Sequence, residues 1–357
     1  GDPVAANVAV APVLDSKDPA RNRAAHLLHA RALRQTGQPE DALRALEGLT
    51  GPVASLERLL ALGLSGHDAA TLALADSLLT LNDSAQVWDS VVSVIGHSQP
   101  QTASALVDRV NARPKVPPDQ QARRLYQDAV RLATVDSVRS LERMRHAARL
   151  GVGTESGDRA SLGLIRSELS QAALPVDLAH VADSLRPLAS RVTPASQEAK
   201  LLLMTIGAVQ SSLDSTGPDV PQGDMRLFLA AETVRDTLAA PVLAAGMFRQ
   251  VVETWPESPY APKAMLAGRV LDPEWGETVR PVLEEKYAAS PYMAFLRGED
   301  PAEYRVLEDS LQAYVYQVSA TQRRAAPGAR PGVVQPPPGT TIRTTQPRPT
   351  QRRGLEP

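Results

Sequence analysis

Apolar residues recur along most of the chain at every third or fourth position, which is the period of an amphipathic helix. The clearest stripe consists of Ala199, Leu202, Ile206, Val209 and Leu213, at spacings of 3, 4, 3 and 4 residues. No sustained stretch alternates apolar and polar residues as a half-buried strand does. The pattern therefore predicts an all-α body.

Breaks between the stripes predict short helices that follow one another as hairpins. In the first third of the chain, the predicted helices cover approximately residues 54–64, 67–81, 83–96 and 99–112. Further starts are marked by a capping residue followed by proline, because the cap binds free N–H groups and proline gives up no helical hydrogen bond. These pairs are Asp18-Pro19, Ser258-Pro259, Asp272-Pro273, Ser290-Pro291 and Asp300-Pro301.

One motif occurs twice. Residues 255–260, Trp-Pro-Glu-Ser-Pro-Tyr, return in degraded form as residues 287–292, Tyr-Ala-Ala-Ser-Pro-Tyr, and the two serines lie 32 residues apart. A period in that range, carried by helical sequence, indicates an array of αα-hairpins.

The motif resembles the tetratricopeptide-type repeats of exported bacterial cell-envelope proteins, which read aromatic-Pro-x-Ser-x-Tyr/Phe-Ala-x-x-Ala. Trp255, Pro256, Ser258, Tyr260, Ala261 and Ala264 match, and the likeness is strongest over 224–298. Segment 27–49 also resembles such a hairpin, through Ala30, Ala42 and the bend at Gly37, but lacks the usual Trp and Tyr. The resemblance implies a TPR-like solenoid acting as an extracytoplasmic scaffold.

Composition divides the chain into four parts. Residues 1–17 lack a helical period and contain Pro3 and Pro12, so we predict an extended arm. Asp214 to Gly223 is rich in Pro, Gly and Asp, and we place a boundary there between helical regions 18–213 and 224–318. Residues 319–357 are rich in Pro and Arg, which predicts an irregular tail that cannot bury a core.

Composition and charge exclude several classes of protein. Hydrophobic residues make up 43% of the chain, enough for a large core, and the absence of cysteine excludes disulfides, thiolate metal sites and cysteine nucleophiles. Residues 319–357 hold seven arginines against Glu356 alone, a charge of +6, so the total of −2 leaves −8 on the body. An acidic body argues against nucleic-acid binding.

No motif predicts catalysis, a cofactor or a metal site. His26 and His29 could share one face of a helix, but no third ligand is near them in the sequence. The glycines at 151, 153 and 157 follow a predicted helix rather than a strand, so we interpret them as a helix end and loop rather than a phosphate loop. We predict a protein that is not an enzyme. The alternative is a hydrolase or carbohydrate-acting enzyme on an α/α scaffold, whose catalytic groups would converge from distant helices.

Aromatic and arginine side chains are the candidate partner contacts. Eleven of the thirteen aromatic residues lie between Phe228 and Tyr316, where they either form core or face a partner. The basic tail either stays solvated or docks on an acidic surface, of a partner or of the chain's own body. The predicted partner-binding residues are Trp255, Tyr260, Tyr292, Tyr316, Arg323, Arg324, Arg343, Arg348, Arg352 and Arg353.

The expected function is a non-enzymatic scaffold, an accessory or assembly subunit of a membrane-associated complex (respiratory, photosynthetic or envelope-assembly). The sequence opens at Gly1 without Met, from which we expect a cleaved signal peptide and a periplasmic or otherwise extracytoplasmic protein peripheral to a membrane. The longest strongly apolar run, Leu201 to Val209, is too short to cross a bilayer.

Overall fold

The computed structural model describes residues 2–81 and 84–325, with side chains described as far as residue 316. Over these ranges the chain forms eighteen α-helices and no strand, which confirms the all-α prediction. The helices are α1 (Pro3–Val10), α2 (Pro19–Gln35), α3 (Pro39–Ala45), α4 (Pro52–Leu64), α5 (Asp68–Leu79), α6 (Ala85–Gly96), α7 (Pro100–Asn111), α8 (Pro118–Leu132), α9 (Ser137–Leu150), α10 (Glu155–Gln171), α11 (Pro175–Ala189), α12 (Pro194–Leu213), α13 (Gly223–Asp236), α14 (Pro241–Thr254), α15 (Ala261–Leu271), α16 (Pro273–Glu285), α17 (Pro291–Leu296) and α18 (Ala302–Ala325).

Helices pack in neighbouring pairs along the chain. From α1 to α16, most helices contact the next one, and several also contact the helix two places on, as α2 does with α4, α5 with α7 and α8 with α10. The helices α2, α4, α6 and α8 begin at residues 19, 52, 85 and 118, so each starts 33 residues after the one before.

Hydrogen bonds between side chains repeat at nearly the same offset. Several join residues that are 33 or 34 positions apart in the sequence. The two residues lie on helices two places apart in chain order, or one lies on a helix and the other in the loop that follows the next helix. They are Thr102 to Asp68, Arg109 to Asp76, Arg123 to Asp89, Arg191 to Asp158 and Ser258 to Asp224. These bonds fix the register of one hairpin on the next.

The chain separates into two compact units, Gly1–Met293 and Ala294–Pro357. The composition change at residues 214–223 falls on the loop between α12 and α13, two helices of the first unit that pack on each other. In the second unit, Phe295 stacks on Tyr304 with ring centroids 4.2 Å apart. The domain boundary drawn from composition stays a prediction.

The predicted extended arm is wrong, because residues 3–10 form α1. Asp2 Oδ1 accepts hydrogen bonds from the N–H groups of Val4 (2.9 Å) and Ala5 (3.3 Å), and Pro3 occupies the first helical position. This is the same cap-then-proline start that opens α2 at Asp18-Pro19. The helix contacts α2, but none of its residues is fully buried, which is why it shows no apolar period.

Two other boundaries differ from the prediction. The last helix continues to Ala325, past the expected start of the tail at residue 319, because residues 319–325 contain no proline and are mostly helix formers. Residues 326–357 lie outside the described range. Helix α15 begins at Ala261 rather than at Ser258, where its start was predicted. The Ser258 hydroxyl accepts a hydrogen bond from the Tyr260 N–H (3.1 Å) and donates one to Asp224 (2.5 Å).

The buried residues of α6 and α8 show which face of each helix packs into the core. Helix α6 buries Trp88, Val91 and Ile95 on one face, and α8 buries Leu125 and Leu132 on one face. On α12, the predicted stripe at residues 199, 202, 206 and 209 is buried as expected. The opposite faces of α6 and α8 are left to form a surface.

Candidate functional site: the groove between α6 and α8

The aromatic residues predicted to bind a partner lie in different environments. Tyr260 and Tyr292 are buried, with 7% and 4% of their surfaces exposed, whereas Tyr316 is 71% exposed. Trp255 is half-buried at the end of α14. Only Tyr316 and part of Trp255 therefore present surface to a partner protein in this conformation.

Tyr260 belongs to an aromatic core. Its ring stacks on Phe228 with centroids 6.1 Å apart, and Phe228 packs on Phe248 at 5.6 Å. The Lys263 ammonium lies over the rings of Phe228 and Tyr292, at 5.2 and 5.6 Å from their centroids. These contacts make the C-terminal aromatic cluster a packing feature.

The predicted arginine contacts fall at or beyond the end of the described chain. Arg323 and Arg324 lie in the last turns of α18, where side chains are not described. Arg343, Arg348, Arg352 and Arg353 lie outside the described residues. Their partner-binding role stays a prediction.

His29 and Gly153, considered above for metal and phosphate binding, have structural partners. His29 Nδ1 lies 2.5 Å from Asn7 Oδ1, and no group of three or more His, Asp or Glu residues in the described ranges is placed to hold a metal ion. In the loop at 151–154, the Gly153 N–H donates to the buried carboxylate of Asp158 on α10 (3.2 Å). A carboxylate at that position repels phosphate.

An open groove of about 1090 Å³ lies between α6 and α8. Its walls follow from the helical pattern, because the residues opposite each buried face recur at spacings of three and four. On α6 these are Gln86, Ser90, Ser93 and His97, and on α8 they are Gln120, Arg123, Gln127 and Val130. Most of these side chains are exposed.

Asp89 joins the two walls at one end of the groove. Its Oδ1 accepts a hydrogen bond from Arg124 Nε (2.6 Å), and its Oδ2 accepts one from Arg123. The Arg124 side chain is 4% exposed and also donates to Asn111 Oδ1 (3.3 Å). A buried cation on α8 is thus compensated by a carboxylate on α6.

Arg131 joins the walls at the other end. Its Nη1 donates to the backbone carbonyl of Val92 on α6 (3.1 Å). Gly96 leaves room for this arginine, since a Cβ there would lie 2.8 Å from Arg131 Nη1. A cation is also stabilised near the C-terminal end of α6 by the helix dipole.

A buried acid lies behind Arg131. Asp128 is fully buried and accepts a hydrogen bond from Ser104 Oγ (2.6 Å). Burial raises the pKa of Asp128 above its usual value, against the opposing effects of Ser104 and of Arg143, Arg131 and Arg139. Burial also lowers the pKa of Arg131, and the Asp128 charge opposes this.

A smaller cavity of about 310 Å³ lies on the other side of α8. Tyr126 and Val130 line both this cavity and the groove, so the two lie next to each other on α8. Its walls are mixed, with Met144 and Leu162 on the apolar side and Arg166 on the rim. Together they offer hydrogen-bonding walls beside a small apolar recess.

The groove was not predicted from the sequence, although one signal for it is present. The polar face of α6 carries Gln and Ser and that of α8 carries Gln and Arg, a composition typical of an ordinary solvated face. Only the side chains that join the two walls turn these faces into a site.

Comparisons with known protein families, with curated proteins and with solved structures give no match to this chain.

Proposed function

We propose that this chain is a non-enzymatic, TPR-like helical-repeat scaffold that binds partner proteins. It acts as an accessory or assembly subunit of a membrane-associated complex outside the cytoplasm. The observation that carries the proposal is the α6–α8 groove, set between helices that recur every 33 residues. Stacked hairpins of this kind form extended binding surfaces, because each hairpin must bury its apolar face against the next.

The walls of the groove favour an extended segment of the partner over a helix. A helix has already satisfied its main-chain hydrogen bonds and docks through an apolar face, whereas an extended chain offers free N–H and C=O groups. Gln120 and Gln127 lie two turns apart on α8, about 10.5 Å along the helix axis. Three residues of an extended chain span about 10 Å, so both amides can reach its main chain.

The location outside the cytoplasm rests on the resemblance of the Trp255–Ala264 motif to repeats of exported envelope proteins. No helix within residues 2–81 and 84–325 is long and apolar enough to cross a membrane. A peripheral position is consistent with that finding, and the arginine-rich segment beyond residue 325 would add contacts to an acidic partner surface.

Site-specific photo-crosslinking in the native cell tests the proposal. A benzoylphenylalanine at Gln127, on the groove wall, is compared with one at Gln101, which is exposed on α7 outside the groove. We expect Gln127 to crosslink one defined protein in the extracytoplasmic fraction and Gln101 to give none. Equal labelling at both positions, or none at Gln127, would argue against a binding role for the groove, and recovery in the cytosol would argue against the location.

A further inference from the structure

One side chain connects the wall of the groove with a buried acid. Arg131 lines the groove and donates Nη1 to the Val92 carbonyl on α6 (3.1 Å), while its Nη2 lies 3.6 Å from Asp128 Oδ1. In the described part of the chain, Asp128 is the only acid paired with Arg131. The arginine therefore depends on Asp128 for the compensation of its charge.

Asp128 is incompletely bonded for a buried carboxylate. Its Oδ2 accepts from Ser104 Oγ (2.6 Å) and lies 3.2 Å from Arg143 Nε, whereas its Oδ1 is buried and makes no hydrogen bond among the described residues. A buried ionised carboxylate is costly when one of its oxygens accepts no hydrogen bond, so the protonated form gains relative to an exposed aspartate.

Protonation of Asp128 affects the two neighbouring arginines, Arg143 and Arg131, differently. Arg143 keeps a second carboxylate, Asp108, to which it donates two hydrogen bonds, and so stays paired when Asp128 is neutral. Arg131 has no such replacement in the described residues. On the helices that flank α8, the charged or titratable residues that line the groove and the smaller cavity or act on Asp128 and Arg143 are Asp89 on α6, His97 at the C-cap of α6, Asp108 on α7, Arg139, Glu142 and Arg143 on α9, and Arg159 and Arg166 on α10.

We infer that Asp128 is a proton-controlled latch on the α6–α8 groove. When Asp128 is ionised, it holds Arg131 across the joint and fixes the distance between the walls. When it takes up a proton, Arg131 loses its counter-charge, leaves the Val92 carbonyl for solvent, and the walls separate. The inference deepens the proposed function and rests on it for one consequence: the affinity for the partner segment falls as the pH falls.

The distance between the walls can be measured without any partner. Because the chain has no cysteine, the exposed positions Ser90 on α6 and Gln127 on α8 can carry two spin labels as its only cysteines. Electron–electron resonance on the full chain is then recorded from about pH 8 to about pH 4. We expect the distance distribution to shift and broaden on acidification, with a midpoint above 3.8, the ordinary value for aspartate. A matched label pair at Ser184 and Lys200, on α11 and α12, should not change.

Variants identify the group that titrates. Asp128→Asn should show the acid distribution at every pH, and Arg131→Met should abolish the transition by removing the link, which covers the case in which the first variant folds poorly. His97→Asn should keep the transition, since the His97 ring faces the groove and bonds the Ser93 carbonyl rather than Asp128.

Any of three results would overturn the inference: a wild-type distance independent of pH, a transition that persists in Asp128→Asn, or a transition that disappears in His97→Asn. The outcome of the crosslinking experiment is independent of this one. The distance between the walls is measured without any partner, so its pH dependence would stand even if no partner protein crosslinked.

Discussion

Removing the Asp89 carboxylate should destabilise the α6–α8 joint through one arginine and not the other. Asp89 accepts from both Arg123 and Arg124, but the Arg123 side chain is 47% exposed and the Arg124 side chain only 4%. Exposed pairs contribute at most about 1 kcal/mol, whereas a buried charge left without its partner costs about 3–5 kcal/mol. Because Asp89 is itself 26% exposed, we expect Asp89→Ala to cost about 3 kcal/mol, near the lower limit.

Double variants separate the two arginines. If the loss comes from the uncompensated charge of Arg124, then replacing Arg124 with methionine in the Asp89→Ala background should recover about 2 kcal/mol or more. Replacing Arg123 in the same background should recover less than about 0.5 kcal/mol, since water already solvates its guanidinium. Asp183→Ala serves as a surface control, because Asp183 and its partner Arg186 are both more than half exposed.

Local stability is the quantity to measure, since an array of hairpins need not unfold as one unit. Amide hydrogen exchange read by mass spectrometry gives the opening free energy of peptides from α6 and α8 separately from those of α12. The reasoning is refuted if Asp89→Ala costs less than about 1 kcal/mol, or if the Arg123 replacement rescues it as well as the Arg124 replacement.

Three further outcomes follow from the structure. Tyr260→Ala should lower the unfolding free energy by about 3 kcal/mol in denaturant titrations, whereas Tyr316→Ala should change it by less than about 0.5 kcal/mol, the difference between core and surface. Gly96→Ala should displace the Arg131 guanidinium, seen as faster exchange of the α6 amides at neutral pH. The pKa of Asp128 is raised in the folded chain, so protonation of Asp128 stabilises the fold. This contribution to the unfolding free energy is fully present below pH 3.8 and is lost as the pH rises through the raised pKa. Asp128→Asn should therefore remove this pH dependence of the unfolding free energy.

Most of the fold could be predicted because local signals decided it. The three-and-four spacing of buried residues on α12, and the cap-then-proline starts at Asp18 and Ser290, act within one or two turns of helix. The start at Asp2 was missed although it carries the same signal, because α1 has no apolar stripe and buries none of its residues even though it contacts α2. The helix start predicted at Ser258 was wrong because the Ser258 hydroxyl donates to Asp224, 34 residues away, and sequence rules for helix starts consider only neighbouring residues.

The groove could not be predicted for a related reason: its walls are ordinary and only the space between them is unusual. Gln86, Ser93 and Gln127 occupy positions where a solvated helix face is the default reading, and nothing local distinguishes them. The site is the space between the two helices. That space depends on two contacts, Arg124 with Asp89 and Arg131 with the Val92 carbonyl, which join residues 35 and 39 positions apart in the sequence. Those arginines look like further surface charge until α8 is placed beside α6. A polar site whose walls are joined by long-range side-chain contacts therefore becomes visible only at the level of packing, where the sequence separation of the contacting residues shows which hairpins are joined.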